Sequence, residues 1–344
     1  MPTRVVALLF GGRSGEHEVS VQSAISVWQA IDRTRYTVIP VAISRSGKWV
    51  RGISPVDVAA AGGTVPEPQT GLSAMEALSG VDVVWPILHG PYGEDGTIQG
   101  LLEVMDLPYV GAGVLASALG MDKSLAKVVF EQKGFPQAPY LTFLRSFCRQ
   151  QPAAVLQAVE EKLGFPCFVK PANLGSSVGI SKVRSSDELP AALETAAMYD
   201  RKIVIEAFVD GREIECSVLG NHQPMASIPG EIIPAAEFYD YEAKYVSQSQ
   251  LLIPAPLTPK QVAEVQQMAI AAFRAIDCSG LARVDFFLRK TDGALLLNEI
   301  NTMPGFTAIS MYPKLWEASG LSYPCLIDEL LTLALERYQE TRQG

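Results

Sequence analysis

The stretch Ala282-Arg283-Val284-Asp285-Phe286-Phe287-Leu288-Arg289-Lys290-Thr291-Asp292-Gly293-Ala294-Leu295-Leu296-Leu297-Asn298-Glu299-Ile300-Asn301 places two strand-forming runs on either side of Thr291-Asp292-Gly293. A short Asp-Gly turn between apolar runs is a hairpin signal. If Lys290 faces Ala294, counting back sets Asp285 opposite Glu299 and Arg283 opposite Asn301. Successive side chains alternate between sheet faces, so these four share one face among apolar neighbours. Two carboxylates placed opposite each other repel unless a cation lies between them. An all-oxygen set of Asp285, Glu299 and Asn301 suits Mg²⁺, which takes a few carboxylates together with substrate phosphates. The same spacing also fits the solvated face of an ordinary hairpin, and spacing alone leaves both open.

Working outward, the chain reads as a strand at 213–219, an irregular polar stretch at 234–250 and a helix at 259–276 before the hairpin, with a last helix near 326–338 after it. Between 121 and 211 the pattern is helix (153–163), strand (167–170), glycine-rich turn, strand (180–183), helix (188–198) and strand (203–209), an α+β module. The first third alternates apolar runs at 5–10, 38–43 and 81–88 with amphipathic stretches at 18–31 and 97–105, a βαβ pattern. A Gly-, Pro- and Thr-rich loop lies at 62–71. A helical period over 124–132 stops at Gly134 and Pro136, and a boundary is placed near Gly120. The expected segments are 1–120, 121–211 and 212–344.

A chain of 344 residues exceeds one ordinary core and predicts two or three domains of roughly 100–150 residues. With 48% hydrophobic and 19% charged residues it is globular throughout. The net charge of −9 argues against a surface for nucleic acid phosphates and favours small substrates. No apolar stretch reaches the roughly 20 residues that span a bilayer, and the run at 5–10 is too short for a secretory segment, so a cytoplasmic location is expected. Cys148, Cys167, Cys216, Cys278 and Cys325 contain no C-x-x-C pair and read as buried reduced thiols.

Further candidates each have an ordinary structural reading beside the functional one. The loop Lys170-Pro171-Ala172-Asn173-Leu174-Gly175-Ser176-Ser177-Val178-Gly179 offers amides, hydroxyls and a lysine to a phosphate, but is not a Walker A sequence and also reads as a common Gly-Ser turn. Gly11-Gly12-Arg13-Ser14-Gly15, between a strand and a helix, can meet an anion but lacks the dinucleotide spacing. Glu16 and Glu18 complement the helix dipole without any function. His89 ends a strand beside the glycines at 90–96, where open α/β sheets place ligands, though one His is as often structural. Lys123 and Lys127, one turn apart, read as solvated surface. Glu206 lies in an apolar strand, Glu213 follows Gly211, and 238–245 reads as a loop packed by its own aromatics.

Taken in order, Glu16-His17-Glu18-Val19-Ser20, Leu88-His89-Gly90, Gly93-Glu94-Asp95-Gly96, Met121-Asp122-Lys123, the loop 170–179, Tyr239 to Tyr245, Arg283-Val284-Asp285 and Asn298-Glu299-Ile300-Asn301-Thr302-Met303-Pro304-Gly305 resemble the D-alanine–D-alanine ligase family over essentially the whole chain. The resemblance implies an ATP-grasp fold, α/β and α+β, with a Rossmann-like N-terminal domain. It implies ATP as co-substrate, two Mg²⁺ ions (Mn²⁺ as a substitute) on Asp285, Glu299 and Asn301, and two D-alanines joined for peptidoglycan precursor synthesis. Lys123, Lys170, Ser177 and Lys244 match phosphate-side positions, Glu206 to Val209 the adenine contacts, and Glu213 the ribose contact. Ala207 stands where many relatives carry lysine, at a position that contributes main-chain groups. Glu16 matches the residue that holds the first ammonium, latched with Ser176 and Tyr245, with His89 nearby. Arg283 and the Gly305 amide match the donors facing the reacting carboxylate, while Ser310 and Met311 match those for the second substrate's carboxylate. A homodimer is suggested. The rivals are a D-alanyl-D-serine or D-alanyl-D-lactate ligase, or a non-catalytic ATP-binding module. The stretch 234–250 is expected to act as a lid over a water-sensitive intermediate.

Overall fold

The computed structural model describes residues 3–176, 178–234 and 250–342. Strand β1 (Arg4–Gly11) pairs in parallel with β2 (Tyr36–Ile43) and β4 (Val83–Pro86), and β3 (Trp49–Arg51) adds antiparallel to β2, giving the order β3-β2-β1-β4. The helix His17–Ala30 connects β1 to β2. Val6, Leu8 and Phe10 on one face of β1 and Ala7 and Leu9 on the other are all fully buried, which is why this strand reads as an unbroken apolar run. The expected βαβ unit is present.

Strands β5 (Tyr140–Leu144), β6 (Cys167–Pro171), β7 (Ser181–Val183) and β8 (Lys202–Ala207) form an antiparallel sheet in the order β5-β8-β6-β7. The helices Pro152–Lys162 and Leu189–Tyr199 cover it through Val155, Val159 and Ala196. Strand β5 has no counterpart in the sequence reading, because its five residues are half-exposed and lack a clean alternation. The third sheet holds β9 (Gly211–Gly220), β10 (Met225–Ala226), β11 (Gly230–Ile233), β12 (Gln250–Leu252), β13 (Gly280–Arg289) and β14 (Leu295–Asn301), ordered β12-β11-β9-β13-β14 with β10 on β9. The helix Pro259–Ala275 packs Val265, Ala269 and Phe273 against Val284 and Phe286. That leaves the opposite face of β13, with Arg283 and Asp285, free for chemistry.

The hairpin register agrees with the expectation where it matters and departs from it at the turn. Arg283 pairs with Asn301 and Asp285 with Glu299. Nearer the turn, Arg289 rather than Lys290 faces Ala294: its N–H donates to the Ala294 carbonyl at 2.9 Å, and the Gly293 N–H to the Arg289 carbonyl at 2.9 Å. Gly293 adopts a φ of +70°, which closes a longer turn over Lys290 to Gly293. The resulting one-residue offset is undone by a bulge that leaves Asn298 unpaired between the Phe286–Leu297 and Asp285–Glu299 pairs. The two departures cancel at the carboxylates. Asp285 is only 8% exposed, so the solvated-hairpin alternative is wrong.

The helix Tyr323–Thr341 packs Leu326, Ile327 and Leu330 into the same core as Val6, Leu8 and Phe10, and Asp328 accepts from the Tyr36 hydroxyl and the Arg35 guanidinium. The C-terminal end of the chain therefore braces the first sheet. Cys148, Cys167, Cys216 and Cys278 are buried, but Cys325 is exposed, because it sits in the first turn of this helix on the side away from the core. The stretch 235–249, with Lys244, Tyr245 and most of the expected lid, lies outside the described residues, as does Ser177. Among the described residues no helix is long and apolar enough to cross a membrane.

Candidate active site

The antiparallel sheet β5-β8-β6-β7 and the exposed face of the third sheet bound a cleft of about 600 Å³, lined among the described residues by Lys170, Glu206, Glu213, Arg283, Asp285 and Glu299. That volume matches a nucleotide-sized ligand. Val209 and Ala207 line its β8 side, and the Ala207 N–H is spent on the Pro139 carbonyl at 2.9 Å.

Arg283 projects from β13 in mid-sheet. Its Nε and Nη2 donate to the two oxygens of Asp285 at 2.7 and 2.6 Å, and Nε lies 3.0 Å from Glu215. Burial disfavours the guanidinium charge, but Asp285 and Glu215 outweigh it and hold its pKa well above the usual range. Glu215 was missed in the sequence. It sits opposite Asp285 on β9, and its alternation with Glu213 was the available signal.

The lysines converge from two elements. Asp122 caps the helix Lys123–Gln132 by accepting from the Leu125 N–H at 3.2 Å. Lys123 Nζ donates to the Leu174 carbonyl at 2.8 Å and lies 3.6 Å from Glu299. Lys170 Nζ donates to Glu206 at 3.0 Å. Burial opposes the Lys170 charge, yet Glu206 and Glu299 raise its pKa above the ordinary value. Lys127, read as solvated, is 2% exposed and lies 3.4 Å from the other Glu206 oxygen.

The donor set fits a hard divalent cation. Asp285 and Glu299 oppose each other beside Asn301, all three offering oxygen. Among the described residues no group of three or more His, Cys, Asp or Glu converges as a metal set. An ion here would therefore draw its remaining ligands from Asn301, water and phosphate.

A small cavity of about 60 Å³ adjoins the cleft, lined by Glu94, Lys123, Ser176, Glu299 and Asn301 among others. Glu16, at the start of the helix His17–Ala30, accepts from the Ser176 hydroxyl. A Cβ on Gly90 or Gly175 would stand 2.7 or 2.8 Å from Glu16 Oε2 and push this carboxylate aside, and Gly90 also holds a φ of +72° that favours glycine.

His89 Nδ1 lies 3.1 Å from the Met303 carbonyl and Nε2 3.1 Å from Ser23 Oγ. Burial lowers the His89 pKa and disfavours the imidazolium; a carbonyl only accepts, so Nδ1 carries a proton toward Met303, and in the neutral ring Nε2 accepts from Ser23. Ser23 Oγ accepts in turn from the Phe306 N–H at 3.3 Å. Phe306 is fully buried, with Trp85 at 5.4 Å and Tyr323 at 5.5 Å between ring centroids. This network fixes the loop that carries Gly305. Ser310 caps it, bonding to Thr307 Oγ1 at 2.7 Å and accepting from the Thr307 N–H at 3.1 Å. Met311, 5% exposed, can offer only its main-chain amide, at the N-terminus of the helix Met311–Ala318.

Glu94, 6% exposed, accepts the Gly90 N–H at 2.7 Å. Burial, and then the Glu16 charge, push its carboxyl up to about 8. A carboxyl raised from 4.5 keeps its proton in the fold, so its contribution is intact below that pH and is lost as pH rises toward about 8. Glu94→Gln should flatten this part of the pH dependence of Tm between pH 5 and 8. Parallel parent and variant curves would show that Glu94 is ionised in the fold.

The D-ala D-ala ligase N-terminus family matches residues 5–112 and the D-ala D-ala ligase C-terminus family residues 129–332. The chain is 52% identical to a D-alanine--D-alanine ligase of Heliobacterium modesticaldum, with 100% of this chain and 98% of the relative aligned. It is 50% identical to one of Geobacillus kaustophilus, over 97% of this chain and 95% of the relative. Among solved structures, the D-alanine-D-alanine ligase from Coxiella burnetii aligns with a TM-score of 0.83 at 37% identity, covering 100% of this chain and 97% of that one. A D-Ala:D-Ser ligase from Enterococcus faecalis aligns with a TM-score of 0.83 at 34% identity, over 96% and 99%. The chain belongs to the D-alanine–D-alanine ligase family and has the ATP-grasp fold of that family.

Proposed function

We propose that this protein is an ATP-dependent ligase that joins two D-alanines through an acyl phosphate, acts in the cytoplasm as a homodimer and serves peptidoglycan precursor synthesis. The observation that carries the chemistry is the convergence of Arg283, the Asp285–Glu299 pair and two lysines on one cleft beside Glu16. The three sheets support functional segments at 1–120, 121–211 and 212–344.

Glu16, held by Ser176, pairs with the ammonium of the first D-alanine. Lys123 and Lys170 release Glu299 and Glu206 to meet the nucleotide phosphates, with Ser177 and Lys244 completing that side. Glu206, Ala207 and Val209 face the base and Glu213 the ribose. The first carboxylate attacks the γ-phosphorus, ADP departs and an acyl phosphate forms. Two Mg²⁺ ions on Asp285, Glu299 and Asn301, for which Mn²⁺ can substitute, supply Lewis-acid neutralisation of phosphate charge when bound. The second D-alanine, its carboxylate on Ser310 and the Met311 amide, attacks the acyl carbon as a neutral amine. Arg283 and the Gly305 amide donate to the tetrahedral oxyanion. Phosphate then leaves. Tyr245 joins the latch over Glu16, and the stretch 234–250 excludes water. His89 holds the Gly305 loop against the first subsite.

The test is ADP release by the purified chain with ATP and Mg²⁺, with and without D-alanine, and with D-serine or D-lactate as second substrate. D-alanine-dependent release with D-alanyl-D-alanine as product supports the reading. ATP binding without turnover, or a mixed product, overturns it. Within this reading Glu16→Gln should raise the KM for D-alanine by about 10–100-fold, from loss of a charge-assisted contact worth about 1.5–3 kcal/mol. The KM for ATP should stay near the parent value; equal weakening of both would show that Glu16 does not bind the ammonium and only ties the Ser176 loop to the helix start.

A further inference from the structure

The buried carboxylate of Glu206 is held by two lysines on separate oxygens: Lys127 Nζ lies 3.4 Å from Oε1 and Lys170 Nζ 3.0 Å from Oε2. All three side chains are nearly sealed from water, at 3%, 11% and 4% exposure for Lys127, Lys170 and Glu206. Two lysines therefore share one buried carboxylate, while the Glu299 and Glu213 charges also act on Lys170. The lysines are not equivalent. Lys170 and Glu206 line the cleft, whereas Lys127 sits behind them on the helix Lys123–Gln132, under the Tyr140 ring at 5.4 Å. Among the described residues Lys127 Nζ is held by Glu206 and the Tyr140 ring alone.

A phosphate entering the cleft can draw Lys170 away from Glu206 but cannot reach Lys127. Without Lys127, that move would leave a buried carboxylate with no counter-ion, which is strongly unfavourable, and Glu206 would compete with the nucleotide for Lys170. We infer that Lys127 is the positioning residue for Glu206: it anchors the carboxylate while a nucleotide takes Lys170 to its phosphates, and so sustains the preference for a base that offers an amino group. A carboxylate only accepts hydrogen bonds, so an anchored Glu206 favours the amino group of a 6-amino purine over the O6 acceptor of a 6-oxo purine. This inference rests on the ATP reading above and extends it to a residue behind the cleft.

The experiment compares ATP with ITP as phosphoryl donor at saturating D-alanine for the parent, Lys127→Met, Glu206→Gln and the double variant, with melting curves for each. Lys127→Met should raise the KM for ATP about tenfold and lower the ATP-over-ITP ratio of kcat/KM about tenfold, the scale set by one unanchored buried polar contact. The KM for D-alanine should not move. If Lys127 acts through Glu206, the double variant should have the same ATP-over-ITP ratio as Glu206→Gln alone, a non-additivity that general destabilisation does not produce. A Lys127→Met ratio within about twofold of the parent, or additive losses in the double variant, overturns the inference. Should Lys127→Met fail to fold, Lys127→Arg decides: a retained ratio with near-parent KM supports anchoring by charge, and a collapsed ratio in a folded variant overturns it. A parent that releases no ADP with D-alanine fails the underlying reading instead, and that control is read first.

Discussion

Arg283→Lys should lower kcat by about 10²–10³-fold, the cost of losing one oxyanion donor, while the KM values for ATP and D-alanine change little. Lysine keeps the charge but not the planar fork that donates to Asp285 through two nitrogens while lying 3.0 Å from Glu215. The ammonium can satisfy the carboxylates or face the reacting carbonyl, but not both. Lysine is preferred to an apolar replacement because removing the cation would leave Asp285 and Glu215 uncompensated in a buried site and cost about 3–5 kcal/mol of stability. A melting curve near the parent's, together with a collapsed kcat, separates chemistry from folding. A kcat within about fivefold of the parent would remove Arg283 from the transition state and leave it as a tie between β9 and β13.

Much of the fold is legible in local pattern because its elements solve local problems. Strand β1 reads as a strand since both of its faces are buried, and the hairpin reads as a hairpin since its turn and alternation coincide. What is illegible is tertiary. Nothing in the residues 323–341 says that Leu326 and Leu330 join the core that holds Val6, Leu8 and Phe10, and nothing in Tyr140-Leu141-Thr142-Phe143-Leu144 marks an edge strand.

The site divides in the same way. Asp285 and Glu299 are found by register, although the turn count alone was off by one residue and the bulge at Asn298 restored it. Lys127 shows the limit most clearly: a lysine on an amphipathic helix is read as solvated, and only the packing of β5 and Glu206 around it makes it interior. Glu215 was hidden because a Glu beside a Glu on a strand looks like solvent-facing charge until β13 brings Arg283 across. Glu16, Ser176, Gly305 and Ser310 come from loops and helix starts that no periodicity links, so their meeting follows from the resemblance and not from spacing.

Glu299→Gln should leave the protein folded and lower turnover by about 10²–10³-fold, since several kcal/mol of charge neutralisation at the phosphates depends on this carboxylate. The swap is isosteric, and the hairpin pair Asp285–Glu299 is held by the backbone ladder and by apolar neighbours on the far face, so circular dichroism and melting should stay near the parent's. The charge balance, in contrast, changes twice. The oxygen set of Asp285, Glu299 and Asn301 loses one of its two anions, and Lys123, 3.6 Å from Glu299, loses its carboxylate partner. The second change frees Lys123 for phosphate and should spare the KM for ATP, whereas the first should shift the Mg²⁺ dependence of the rate to higher concentration. A titration of rate against Mg²⁺ therefore tells the two apart. Near-full activity for Glu299→Gln across ordinary Mg²⁺ concentrations would mean that the cation is held elsewhere and that the opposed carboxylates serve only to orient Arg283 and Lys123.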